Sequence, residues 1–356
     1  MWLAIGGFGV GFVAGAAARY GRLCSMSAIE DALVGGDFRA AKAWGLALAV
    51  AMVASLGVGR WLALDFADSV YTSGTLDVAG AVLGGALFGL GMALAGTCSF
   101  GLLVRVGGGD LRAMVSAVVI GISAFAFTAG ALAPVRAILT GLAPVDLAPL
   151  GGPLLSGISA RAWPQHASLL SVAIPCALAI VLLLAAALDR RLRRRPRLLT
   201  AAVALGGAIA AGWAVTGHAI DALETTRLES LSFVAPVGRA LLQVMSDSLR
   251  EVGFGVASVA GVLLGAAVVA RAKDDIRWEA FDDAREMRRH LLGAVLMGLG
   301  GVLARGCTIG QGMSAASVLA VSAPLVMLGV VIGAKLGLMF LLEGRAMWRM
   351  GSSTDR

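Results

Sequence analysis

The chain has 356 residues, of which 58% are hydrophobic and only 14% charged, with 49 glycines and a net charge of +7. An average soluble domain carries about 25% charged residues, so a water-soluble globular protein is excluded, as is a disordered chain, which requires low hydrophobicity. The long apolar runs exclude a barrel of alternating strands and leave an all-α polytopic membrane protein.

A bilayer core is crossed by about 20 apolar residues in a helix. On that rule the sequence predicts nine spans, in chain order 1–18, 40–64, 76–98, 113–134, 167–188, 198–218, 250–271, 290–306 and 315–342. The first run lacks the basic start of a cleavable signal and leads directly into Arg19 and Arg22, so it reads as a true span. The runs 98–112 and 220–249 are ambiguous and leave eight or ten spans open.

The basic residues sit in short loops between the apolar runs, which reads as topology rather than as nucleic-acid binding. No nucleic-acid partner is expected. Loop 189–197 carries six arginines, and loop 271–289 carries Arg271, Lys273, Arg277, Arg285, Arg288 and Arg289. The two loops lie two spans apart and so fall on one side, the cytoplasmic one by the positive-inside rule. Arg39, Lys42, Arg105 and Arg112 fall on the same side, as does the C-terminus with Arg345 and Arg349. The N-terminus and the stretch 135–164 are expected outside.

Residues 84–101 read GGALFGLGMALAGTCSFG and residues 293–310 read GAVLMGLGGVLARGCTIG. At an offset of 209 they match at half of 18 positions, including Gly84/Gly293, Gly91/Gly300, Cys98/Cys307 and Gly101/Gly310. A weaker echo pairs 22–27 (RLCSMS) with 227–232 (RLESLS), so that Glu229 stands where Cys24 stands. This divides the chain into a first repeat, 1–134, with the Cys24 and Cys98 motifs. An outer loop, linking helix and basic cytoplasmic loop follow at 135–197, and then a second repeat, 198–356, with the Cys307 motif. The odd linking helix inverts the second unit. Inverted repeats put a transported substrate near the midplane at their interface, between broken helices whose irregular backbone lines a cavity. The segments 96–101 and 306–314, rich in Gly and hydroxyls, are the predicted breaks, each turning the chain back as a short re-entrant helix.

Four cysteines are too few and too scattered for a disulfide scaffold or a zinc finger. Cys24, Cys98 and Cys307 each stand at a break beside Gly, Ser or Thr, whereas Cys176 lies inside the fifth apolar run and reads as packing. His166, His218 and His290 read as interfacial, with a proton role conceivable for His218 and Asp221. Glu30, Asp31 and Glu229 are expected to face water. No Walker A motif, cofactor motif or Cys-x-x-Cys pair is present, so no cofactor, resident metal or enzymatic activity is expected. Two other readings of the three cysteines stay open, a soft-metal transporter and a membrane thiol-redox or sulfur-transfer component.

The segments 21–31 (GRLCSMSAIED), 95–101 (AGTCSFG) and 304–312 (ARGCTIGQG) resemble the motifs of the YeeE/YedE sulfur-transport family. That family contains bacterial inner-membrane proteins for thiosulfate uptake. The resemblance spans nearly the whole chain. It implies a permease or channel in which Cys24, Cys98 and Cys307 match the family's functional thiols and pass thiosulfate along by S–H···S contacts. The expected partners are a small sulfur-containing anion, membrane lipid and a cytoplasmic sulfur carrier or sulfurtransferase. The chemistry is compatible, because conduction needs weak sequential sites and a thiol is a weak donor. Thr97, Ser99, Thr308 and Gln311 are the candidate hydrogen-bond donors to the anion's oxygens. Arg22 and Arg305 either attract the anion at a mouth or anchor the interface.

Overall fold

Backbone that lies in hydrocarbon must satisfy its own N–H and C=O groups, and a helix does so within one segment. The computed structural model describes residues 2–221, 227–246 and 252–351. Helix α1 (Trp2–Gly21) turns sharply into α2 (Ser25–Leu33), which leads to α3 (Arg39–Trp61). A loop with the short strand β1 (Thr75–Asp77) precedes α4 (Val78–Ala95), which breaks before α5 (Ser99–Val106) and α6 (Leu111–Thr128). The stretch expected as an outer loop folds into α7 (Ala133–Thr140), strand β2 (Pro144–Asp146) and α8 (Leu155–Ala162). Strand β2 pairs antiparallel with β1, Leu76 opposite Val145.

Next come α9 (Ala167–Ala187), the single turn α10 (Arg190–Arg193) and α11 (Pro196–Asp221). The last part holds α12 (Ala235–Ser246), α13 (Phe254–Ala272), α14 (Ala284–Leu303), a π-helical turn Gly310–Ala315 and α15 (Ser322–Gly351). Asp221, Arg345 and Arg349, singled out in the sequence, have side chains outside the described residues.

Eight helical segments among the described residues are long and apolar enough to cross a membrane, against the nine expected. The difference is the segment expected at 290–306. It is α14, which starts earlier, at Ala284, and carries Arg285, Glu286, Arg288 and Arg289 in its first turns. Those charges take it below the hydropathy of a free-standing span, yet it packs against both α4 and α6. The expected span 76–98 ends at Ala95 because Gly96 takes a left-handed conformation, φ 71°. His290, expected at an interface, is buried under Phe281, 3.8 Å from the Glu286 carboxylate. Glu229, expected to face water, is largely covered. It accepts from the Gly255 N–H at 3.3 Å and lies 3.5 Å from Arg239.

Helices in lipid gain little from hydrophobic burial against one another and associate by close packing of small residues. The repeated motif supplies this contact. Helices α4 and α14 run antiparallel, with Gly84 against Gly300 and Gly91 against Gly293. A Cβ on Gly91 would stand 2.5 Å from the Gly293 carbonyl, and one on Gly300 2.5 Å from the Phe88 amide nitrogen. Each glycine thus meets the counterpart of the other, which is a two-fold relation between the two segments.

The other contacts follow the same exchange. Helix α1 packs on α13 as α11 packs on α3, α4 on α15 as α14 on α6, and α6 on α12 as α15 on α2. Helix α9 lies outside this scheme, on α3 and α8, with most of its apolar surface uncovered.

Candidate functional site

Three chain reversals share one construction. A helix ends, a residue takes the left-handed conformation, and a cysteine stands two residues later. The left-handed residues are Arg22 (φ 54°), Gly96 (φ 71°) and Arg305 (φ 54°), and the cysteines are Cys24, Cys98 and Cys307. Glycine adopts that conformation without steric cost. A residue with a Cβ is disfavoured there by about 1–2 kcal/mol.

Past each reversal the cysteine opens a short helical segment. Cys24 and Cys98 are the N-cap residues of α2 and α5. The Cys98 sulfur accepts the Gly101 N–H at 3.4 Å, and the Cys307 sulfur accepts the Gly310 N–H, also at 3.4 Å. The Cys98 contact is an N-cap contact made with sulfur in place of the usual oxygen, and the Cys307 contact has the same spacing just before the π-helical turn, whose N-cap is Ile309. Each of these two sulfurs therefore sits over the positive end of a helical turn. Because the sulfur accepts, its own proton stays free to donate.

The three reversals converge. Cys24 Sγ and Thr97 Oγ1 are 3.5 Å apart, and the Ser25 hydroxyl donates to Thr308 Oγ1 at 3.3 Å. The Ser25 and Thr308 hydroxyls also face the Cys98 thiol, which has Cys24 as an electrostatic neighbour. Cys98 and Cys307 are each 1% exposed, while Cys24 is half-buried. The Ser99 hydroxyl, 2% exposed, has no hydrogen-bond partner. Gln311 is fully buried with its amide engaged, Nε2 donating to the Arg305 carbonyl at 3.4 Å and Oε1 accepting from Ser322 Oγ at 3.1 Å. Its present contacts hold the third reversal in shape.

Cys176 lies in α9, away from this cluster. His166 and His218 are exposed, as are Glu30 and Asp31 on α2. Among the described residues, no group of three His, Cys, Asp or Glu side chains is gathered as a metal-ligand set.

The two ends of the cluster differ. On the side of the arginine-rich loops, a cavity of about 980 Å³ reaches Cys24, lined by Arg19, Arg22, Arg194, Arg197, Lys273 and Arg277 among others. A second cavity of about 620 Å³ shares Arg19, Arg22, Cys24 and Arg277 and reaches Thr97. Partial desolvation, reinforced by Arg197 and Arg22, holds the Lys273 amine below its ordinary pKa. On the opposite side the cavity beside Arg305 and Gln311 is only about 30 Å³. There Tyr71 donates to the Ser230 carbonyl, and Phe66 and Tyr71 set their edges against Trp213. The Trp213 indole in turn donates to Ser317 Oγ at 3.2 Å. Wide cavities thus reach the cluster from the side of the basic loops, and aromatic rings pack at the other end.

Sequence reasoning did not single out Ser25 or Tyr71. For Ser25 a signal existed, because each of the three cysteines is followed by a hydroxyl residue: Ser25, Ser99 or Thr308. For Tyr71 none existed, since its place is set by packing against Trp213, far away in the chain.

The chain matches the sulphur-transport family over residues 20–336. It is similar to the thiosulfate transporter TsuA of Escherichia coli strain K12, with 24% identity over 304 residues, 82% of each chain. It is also similar to the thiosulfate transporter TsuA of Spirochaeta thermophila, with 34% identity over 122 residues, about a third of either chain.

Proposed function

Because the chain belongs to the sulphur-transport family, we propose that it imports thiosulfate or a closely related sulfur anion across the bacterial inner membrane, along Cys307, Cys98 and Cys24 in that order. The observation that carries this reading is the meeting of three break-site cysteines with the hydroxyls of Ser25, Thr97 and Thr308. Thiosulfate is a dianion with one soft sulfur and three oxygens. A neutral thiol donates weakly to the soft sulfur, and the hydroxyls donate to the oxygens. Thiols and hydroxyls make the contacts of the cluster, with Arg22 and Arg105 lining the cavity that reaches Cys24 and Thr97, so weak donors guide the anion without trapping it, as conduction requires. The basic vestibule then draws it toward the cytoplasm.

The same reading takes 1–134 and 198–356 as inverted repeats joined by 135–197, with the N-terminus periplasmic and the C-terminus cytoplasmic. The exchanged glycine contacts of α4 and α14 support the repeat, and the arginines of loop 189–197 support the orientation.

Vesicles reconstituted with this protein alone test it. Uptake of labelled thiosulfate is expected, lost in Cys98→Ala and Cys307→Ala. Full uptake by both variants would remove the thiols from the path, and no uptake by the unaltered protein would overturn the substrate. Ser replacements separate a need for sulfur from a need for any polar group.

A further inference from the structure

Of the three left-handed positions that precede the cysteines, one is glycine and two are arginine. Backbone geometry asks for glycine at all three, and Gly96 shows that the reversal is built well with it. Arg22 and Arg305 hold the same conformation, each at φ 54°, against the steric preference of any residue with a Cβ. Strain of this kind clusters at functional sites, although Ala63, Asp274 and Leu319 carry it as well. Neither guanidinium has a carboxylate within salt-bridge distance among the described residues, although Arg19, Arg39, Arg112 and Arg239 each have one. Both side chains are exposed.

Their places differ from that of Gly96. Arg22 lines both wide cavities beside Cys24, and Arg305 lines the narrow cavity at the opposite end, two residues before Cys307. Gly96 precedes Cys98, which lines none of these cavities. An arginine thus precedes the cysteine at each end, while the Gly96 carbonyl accepts from Arg105 Nη2 at 3.3 Å.

We propose that Arg305 and Arg22 are the substrate-capturing residues of the two mouths, Arg305 receiving the sulfur dianion ahead of Cys307 and Arg22 taking it over from Cys24 on release. This rests on the proposed path. The Asp77 carboxylate lines the same outer cavity; its Oδ1 caps α4 through the Gly80 N–H at 2.9 Å, and its Oδ2 is buried without a hydrogen-bond partner, so Arg305 faces a carboxylate across this cavity.

The test uses thiosulfate uptake by intact cells, which fixes the side of entry, for the unaltered protein, Arg305→Gly, Arg22→Gly and the two Lys variants. The glycine variants relieve backbone strain, so their Tm in detergent is expected unchanged or raised. Arg305→Gly is expected to raise KM about three- to tenfold, the scale of one exposed charge contact, and to flatten the fall of uptake with ionic strength. Arg22→Gly is expected to lower the maximal rate by a similar factor with less change in KM. Lys at either position keeps the charge and is expected to stay near the unaltered values. Glycine variants that transport with unaltered KM, rate and salt dependence overturn the capture role, as do Lys variants that behave like Gly. Absence of thiosulfate uptake by the unaltered protein overturns the proposed path and this inference together.

Discussion

At the residue scale, the three reversals differ in exposure, and that difference is measurable. Cys24 faces the wide basic vestibule, whereas Cys98 and Cys307 are closed off. A charged thiol reagent applied from the vestibule side is expected to label Cys24 and to spare the other two. Rapid labelling of Cys307 from the opposite side would contradict a path shut at the aromatic end. Cys176 serves as the control: Cys176→Ala is expected to leave uptake unchanged, because the residue sits in the peripheral helix α9. Loss of uptake in that variant would bring α9 into the path. The three cysteines and the hydroxyls beside them were legible in the sequence, since a rare residue repeated in one local context survives any uncertainty about packing. The engagement of Gln311 was not, because its partner Ser322 belongs to the start of the next helix and only the π-helical turn brings the two together.

At the element scale, the glycines divide into those that let helices touch and those that do not. Gly91 belongs to the first kind, because a Cβ there would lie 2.5 Å from a backbone carbonyl and 2.8 Å from Met297. Neither helix can yield without moving the other, so Gly91→Ala is expected to destabilise the protein by about 1–3 kcal/mol, read as a lower Tm in detergent. Gly207 on α11 is the opposite case, with nothing within 4 Å of an added Cβ. Gly207→Ala is expected to be neutral or to stabilise by about 0.5–1 kcal/mol. Equal behaviour of the two variants would refute the α4–α14 contact. The span count shows the limit of reading elements locally. Helix α14 carries too many charges at its start for hydropathy alone to find where it begins, yet it is the partner of α4 across the centre of the molecule. The apolar run alone placed it at 290–306, six residues late, and the motif repeat marks it as the counterpart of α4.

At the scale of the whole molecule, the two faces are unlike. One carries the arginines of α10 and of the loops around it, with cavities of about 980 and 620 Å³ leading inward. The other is covered by the β1–β2 pair, α7 and α8, with about 30 Å³ beside Arg305. On the proposed path, import requires this outer cover to move at the Tyr71–Trp213 contact. Reporter fusions in loop 189–197 are expected to report from the cytoplasm and fusions in 135–164 from the periplasm. The opposite result would invert the direction of the path.

The sequence by itself determined the membrane class, the helices and their breaks, the repeat and the cysteines that belong to it. These follow from hydropathy, Gly- and hydroxyl-rich segments and local motif identity, all of which act within a few tens of residues. The tertiary structure alone decided which breaks meet and which end carries the wide cavities. Those outcomes depend on the glycine faces of α4 and α14 approaching closely enough to bring residues about 200 positions apart into one cluster, and no local pattern encodes that approach.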